Sequence, residues 1–175
     1  MVLTLILAFA TGLIMKLADQ LEDLPRYANK FLMLRIALGI LYGSIMFLMI
    51  DQNREIASLW LGLCIGLLLI GKLDCVAHCV GFSTFFALSY MYGIAVENHL
   101  FFLIFLSMTV IEEKFNDFVD NIDMKNTLLK EIIASRPILE ITALLVAIFS
   151  GIWSIWLSLL LFDIGYQLSK RIVKE

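Results

Sequence analysis

Val2-Leu-Thr-Leu-Ile-Leu-Ala-Phe-Ala-Thr-Gly-Leu-Ile-Met15 runs directly into Lys16-Leu-Ala-Asp19-Gln-Leu-Glu22-Asp23, an apolar stretch that ends on a cluster of opposite charges. The same alternation recurs down the chain. Apolar segments give way at every second boundary to a cation accompanied by acids or histidine: Lys72-Leu-Asp74-Cys75-Val-Ala-His78, Glu112-Glu113-Lys114-Phe-Asn116-Asp117-Phe-Val-Asp120-Asn-Ile-Asp123, Arg136-Pro-Ile-Leu-Glu140, and Asp163 ahead of Lys170-Arg171. The intervening boundaries, Asp51-Gln-Asn-Arg54-Glu55 and Glu97-Asn-His99, are short and nearly free of cations. That asymmetry is the mark of a chain that crosses a bilayer repeatedly and presents one charged face.

Composition agrees. Of 175 residues, 61% are hydrophobic and 17% charged, with a mean hydropathy of +0.93, too little polar surface for a water-soluble domain of this size. Two prolines and ten glycines leave no room for long flexible linkers or an all-β barrel. The net charge of −3, with no basic stripe, excludes a nucleic-acid partner. Cys64, Cys75 and Cys79 are an odd set in or beside apolar segments and read as free packing residues. No basic region precedes Val2–Met15 and no small-residue cleavage site follows, so the first span is expected to be retained.

The fold class expected is all-α, a single transmembrane domain over 1–175 that forms a polytopic bundle. Seven helices are read from the charge and turn boundaries: Val2–Leu17, Phe31–Ile50, Ile56–Gly71, Ala77–Val96, Leu100–Ile111, Ile138–Ser150 and Ile152–Leu168, with a cytoplasmic loop over 112–137. Residues 138–168 could form one span, but Ser150-Gly151 between apolar runs, flanked by Trp153 and Trp156, reads as a tight turn. Seven spans place all 13 lysines and arginines except Arg54 on one side. The positive-inside rule then puts that side in the cytoplasm, with the N-terminus outside and the C-terminus inside a cell membrane. Gly39 and Gly43, and Gly62 and Gly66, have the spacing that lets membrane helices approach closely. Lys16-x-x-Asp19 and Lys114-x-x-Asp117 end helices on the same side, and Arg35 and Arg136 open the helices that follow, so helices 1–3 and 5–7 are candidates for parallel repeats joined by helix 4.

The chemistry sits on the charged face. Asp19 and Asp23 are four apart and Asp117 and Asp120 three apart, so each pair shares one side of a helix and repels itself. A hard cation such as Mg²⁺ relieves that repulsion and brings phosphate as a further ligand, which makes these four the candidate metal ligands. Lys16 and Arg136 are placed to neutralise phosphate charge, and Asp74 and His78, one turn apart, form a polar pair lining the same pocket. Asp163 and Glu140 fall inside apolar runs, where a carboxylate is costly enough to suggest a functional role or an ion pair holding helices 6 and 7.

Asn116-Asp117-Phe-Val-Asp120-Asn-Ile-Asp123, followed downstream by Arg136-Pro137, resembles the first aspartate-rich motif of the UbiA-type intramembrane prenyltransferases; Asn116, Asp117 and Asp120 match it and Asp123 arrives one residue early. Lys16-x-x-Asp19-x-x-x-Asp23 is similar to that family's second aspartate motif but precedes the first, and the family's chains are longer, with more spans. The resemblance covers about twenty residues. It implies Mg²⁺ and an isoprenyl diphosphate held by the carboxylates. The reading is therefore a magnesium-dependent membrane enzyme acting on an isoprenyl or other lipid phosphate. A small secondary transporter working through Asp163, Glu140 and Asp74, or a membrane scaffold without a small-molecule site, are the alternatives.

Overall fold

The computed structural model describes residues 1–22, 31–73, 75–121 and 137–172. Among them are seven α-helices and no strand: α1 Val2–Glu22, α2 Leu32–Gln52, α3 Ala57–Ile70, α4 Val76–Met91, α5 His99–Asn121, α6 Pro137–Ser150 and α7 Trp153–Ile172, with one 3₁₀ turn at Arg54–Ile56. The chain is thus all-helical. Two of its helices, over Val2–Leu21 and Leu32–Gln52, are by length and composition apolar enough to cross a membrane on their own.

The seven helices match the seven apolar segments, and the differences are at their ends. The charged tail Lys16 to Glu22 continues α1, and the segment Glu112 to Asn121, expected as loop, continues α5. Neither contains a proline or glycine to stop it, so the helical hydrogen bonds run on. Conversely α4 stops at Met91 rather than Val96: Gly93 takes a left-handed φ of 65°, and the backbone N–H groups of Gly93 and Ile94 turn back to Tyr90 and Ser89. The break between α6 and α7 is at Gly151, φ 76°, where the Ser150 hydroxyl accepts the Ile152 N–H. Gly151→Ala is expected to cost about 1–2 kcal/mol, the penalty of placing a Cβ in the left-handed region, measured as the unfolding midpoint of the full chain in detergent micelles.

α1 packs along α7 and α2, α2 along α4, α3 along α5, α5 along α6 and α6 along α7. Three of these crossings are parallel and are made by glycine. On α2, Gly39 faces Ala77 and Val80 of α4 and Gly43 faces Gly81; on α3, Gly62 faces Phe102 and Phe105 of α5 and Gly66 faces Thr109. The third crossing has Gly12 of α1 against Phe162 and Gly165 of α7 against Phe9. A Cβ on Gly39 would stand 2.7 Å from the Ala77 carbonyl oxygen, so the backbones meet directly. α3 lies innermost. Its residues from Ala57 to Cys64 are all buried, Trp60 fully, with its indole donating to Ser158 of α7 at 3.3 Å and its ring edge-on to Phe162.

The interior is a packed apolar core around Tyr42, Met46, Trp60, Phe85, Phe105 and Leu159, and the outer surface is apolar as well. Large apolar side chains project outward from every helix, among them Ile6, Met33, Leu69, Val76, Leu103, Phe149 and Ile164. Thr4, Thr11, Arg35, Ser58, Ser89, Thr109, Glu112, Glu113, Ser154, Ser158 and Ser169 are buried.

Candidate functional site

The helices alternate in direction, and side-chain bonds show which ends meet. At one end, Asp19 near the end of α1 meets His78 at the start of α4 and Tyr166 near the end of α7; Lys72, just past α3, meets Glu113 and Asp117 of α5; Glu112 of α5 meets the start of α6. At the other end Ser58 bonds to Asn98, and Glu55 to Ser154. The charged boundaries of the sequence therefore gather at a single end of the bundle.

Two clusters form there. In the first, Lys16 hydrogen-bonds to Asp19 one turn away, and its ammonium lies 5.1 Å from the centre of the Tyr166 ring. The Tyr166 hydroxyl reaches Asp19 Oδ2 at 3.5 Å, and His78 Nε2 stands 3.9 Å from Asp19 Oδ1. The other ring nitrogen of His78 is 3.3 Å from the Tyr42 hydroxyl, which is fully buried and donates to the Ala77 carbonyl at 3.1 Å. Tyr42 thus fixes the imidazole from α2 while α1 offers the carboxylate. Arg35, seven residues earlier on α2 and buried, lies two turns along the same helix face.

In the second cluster, Lys72 Nζ stands 2.5 Å from Asp117 Oδ1 and 3.8 Å from Glu113 Oε2. Beneath it Glu112, 1% exposed, accepts the Leu139 N–H at 2.6 Å and the Ile138 N–H at 3.4 Å. These belong to the first turn of α6, whose amides have no intrahelical partner and whose dipole favours a negative charge. Because α5 runs on from Glu112 to Asn121, α6 begins about 13 Å below the end of α5, inside the bundle.

Of the expected site residues, Lys16, Asp19 and His78 are brought together, and Asp117 is placed in the other cluster. α1 and α5 do not pack along each other. Among the described residues no group of three or more His, Cys, Asp or Glu side chains could hold a metal ion, and Asp19 and Asp117 are each bound to an ammonium group. The described donors do not complete a magnesium site. Asp23, Asp74 and Arg136 lie outside the described residues; Asp120 is on α5, with its side chain outside them. Glu140 is half-buried in the first turn of α6 and accepts the Trp156 indole N–H at 3.0 Å. Asp163 is half-buried on α7 one turn before Tyr166.

The chain matches no protein-family model, no curated protein and no solved structure.

Sequence reasoning passed over Tyr42, Tyr166, Glu112 and Glu113 as members of the site. Glu113 and Asp117 are four apart, and that signal was in the sequence. Tyr42 and Tyr166 gave none, since an aromatic in an apolar helix ordinarily serves as packing.

Proposed function

We propose that the chain is a multi-pass membrane protein whose seven helices all cross the bilayer, with the charged end cytoplasmic, and that this end binds the headgroup of a phosphorylated lipid, an isoprenyl diphosphate or another lipid phosphate. The membrane reading is supported by the large apolar side chains that point outward on every helix, and by the threonines, serines and acids buried among an apolar core. Ser58, Thr109 and Ser154 and their bonds to neighbouring backbone or side chains suit an interior without water. The shorter helices fit if the long ones tilt and if the charged end forms a recess.

The observation that carries the headgroup reading is the first cluster. Lys16, 14% exposed, and His78, 12% exposed, are held beside one carboxylate at the edge of an apolar bundle, with Tyr166 and Tyr42 supporting them. A phosphoryl group entering from the headgroup level would take over the ammonium and imidazole from Asp19, and its acyl or prenyl chain would lie along the lipid-facing helices. Phosphate oxygens form charge-assisted bonds to such donors about twice as strong as neutral ones. Any Mg²⁺ would depend on Asp23 and Asp120 as well as on Asp19 and Asp117, so the test includes it as a variable. Purified full-length protein in detergent micelles is titrated with farnesyl diphosphate, with and without Mg²⁺. Lys16→Gln is expected to weaken binding at least about tenfold, or 1.4 kcal/mol. Binding unaltered by Lys16→Gln, or none by the wild type, overturns the proposal.

A specific observation favours a second reading, transport. Glu112, buried on α5, accepts the N–H groups at the start of the short helix α6, the kind of helix terminus at which membrane transporters hold ions and substrates, and Glu140 lies in that helix's first turn.

A further inference from the structure

α1 and α7 meet along one seam. Gly12 lies against Phe162 and the backbone N of Tyr166, and Gly165 lies against Phe9 and Leu13. The seam runs on toward the charged end at helical spacing. Lys16 and Gln20 continue the row of Phe9 and Leu13 on α1, and Ser169 continues the row of Phe162 and Gly165 on α7. Ser169, fully buried, therefore stands opposite the turn of α1 that carries Lys16, and Gln20 lies one turn beyond it. Neither is satisfied. The hydroxyls of Thr11, Thr84, Thr109, Thr142 and Ser150 each donate to the carbonyl four residues back in their own helix. Ser169 Oγ makes no such bond and no other among the described residues, and the buried Gln20 Oε1 accepts none. Both lose water without gaining a partner, on the seam where Lys16, Asp19 and Tyr166 gather.

The charges of that cluster say what the partner carries. A phosphoryl group that takes Lys16 and His78 from Asp19 leaves the carboxylate with the Tyr166 hydroxyl alone. Two anions would then stand side by side at the edge of an apolar bundle, where like charges are poorly screened. A cation has to arrive with the phosphate. Among the described residues no three acids, cysteines or histidines converge to hold a metal ion, whereas a carboxylate and an amide oxygen suit an ammonium group, which has N–H bonds to donate to both. The Tyr166 ring already faces one ammonium, that of Lys16 at 5.1 Å. We infer that the seat takes a zwitterionic headgroup, a phosphodiester joined by a short link to a primary ammonium, as in ethanolamine phospholipids. Its phosphate takes the Lys16 ammonium and the Ser169 hydroxyl, and its ammonium takes Asp19 and Gln20 Oε1. The exchange is charge for charge. Lys16 and Asp19 are three apart on α1, about 5–6 Å between Cβ atoms, a separation that a two-carbon link spans. A trimethylated ammonium has no N–H to give Gln20, and phosphatidic acid brings no cation at all.

This names the ligand class of the seat proposed above and rests on that reading, so the test lets the two fail separately. Full-length protein in detergent micelles is titrated by calorimetry with the dihexanoyl forms of phosphatidylethanolamine, phosphatidylcholine and phosphatidic acid. Glycerophosphoethanolamine, the same headgroup without its chains, is titrated in parallel. The ethanolamine lipid is expected to bind at least about tenfold tighter than the other two lipids, the size of one hydrogen bond to a charged group. Weaker binding of glycerophosphoethanolamine assigns the ligand to the membrane and equal binding assigns it to the soluble phase; both uphold the headgroup chemistry. Gln20→Leu should abolish the preference for ethanolamine and leave the affinity for phosphatidic acid unchanged, and Ser169→Ala should weaken all three lipids severalfold. A general loss of folding lowers every affinity and cannot remove a preference alone. Equal binding of the three lipids by the wild type, a preference that survives Gln20→Leu, or affinities indifferent to Ser169→Ala overturn the zwitterionic seat and leave the phosphate reading standing. No binding of any probe by the wild type overturns that reading itself.

Discussion

Glu112→Ala is expected to lower the stability of the chain by roughly 2–6 kcal/mol, because two buried backbone N–H groups lose their acceptor. The carboxylate is 1% exposed and takes two backbone N–H groups from the first turn of α6, at 2.6 and 3.4 Å. Pro137 opens that helix with no N–H of its own, so the amides of Ile138 and Leu139 are the first that must find acceptors. Removing the carboxylate leaves them buried, at about 1–3 kcal/mol for each unmade bond, and also removes the favourable charge at the positive end of the helix dipole. Glu112→Gln separates these effects. The amide keeps the side-chain volume and one acceptor but turns an NH₂ group toward the α6 amides, so about half the loss should remain. The unfolding midpoint of the full chain in detergent micelles measures both. If Glu112→Ala unfolds within about 0.5 kcal/mol of the wild type, α6 is not held in the interior by this carboxylate.

How far the sequence could be read depends on which forces acted where. The seven apolar segments were legible because a helix of apolar residues bounded by charge has few other structures open to it, and Gly151 was legible as a turn because glycine tolerates a positive φ. The end of α5 was not. Glu112-Glu113-Lys114 looks like loop by polarity, yet it continues α5, where Glu113 pairs with Lys72 and Glu112 holds the start of α6, whereas Lys16-Leu-Ala-Asp19 continues α1 as its helical spacing of acids implied. Those bonds come from tertiary placement, which no local pattern contains. The same holds for the site. Asp19 and Asp117 were conspicuous individually, and the pairing of Asp19 with Lys16, three residues back on α1, is local; that Lys72 engages Asp117 follows only from the packing of α3 along α5.

The close approach of α1 and α7 depends on glycine, and it gives a prediction in which the sign is the test. On helix propensity alone, Gly→Ala in a helix interior stabilises by about 1 kcal/mol. Gly12→Ala should do the reverse and cost roughly 1–3 kcal/mol, as overpacking of a tight interface does. A Cβ at Gly12 would overlap the carbonyl of Phe162, and one at Gly165 would overlap the carbonyl of Phe9; both obstacles are backbone, which cannot rotate away as a side chain does. Relief requires α1 and α7 to move apart, which also draws Tyr166 from Asp19 and Lys16. Gly12→Ala is therefore expected to weaken the first charged cluster together with the fold, whereas Gly93→Ala, with nothing within 4 Å of its Cβ, should cost only the strain of its left-handed backbone and leave the cluster intact. Because Gly12 and Gly165 face the same crossing, the double alanine variant should cost less than the sum of the single ones, once the helices have already separated. An increase in unfolding midpoint for Gly12→Ala would mean that α1 and α7 do not meet backbone to backbone, and without that contact Tyr166 has no place beside Lys16 and Asp19.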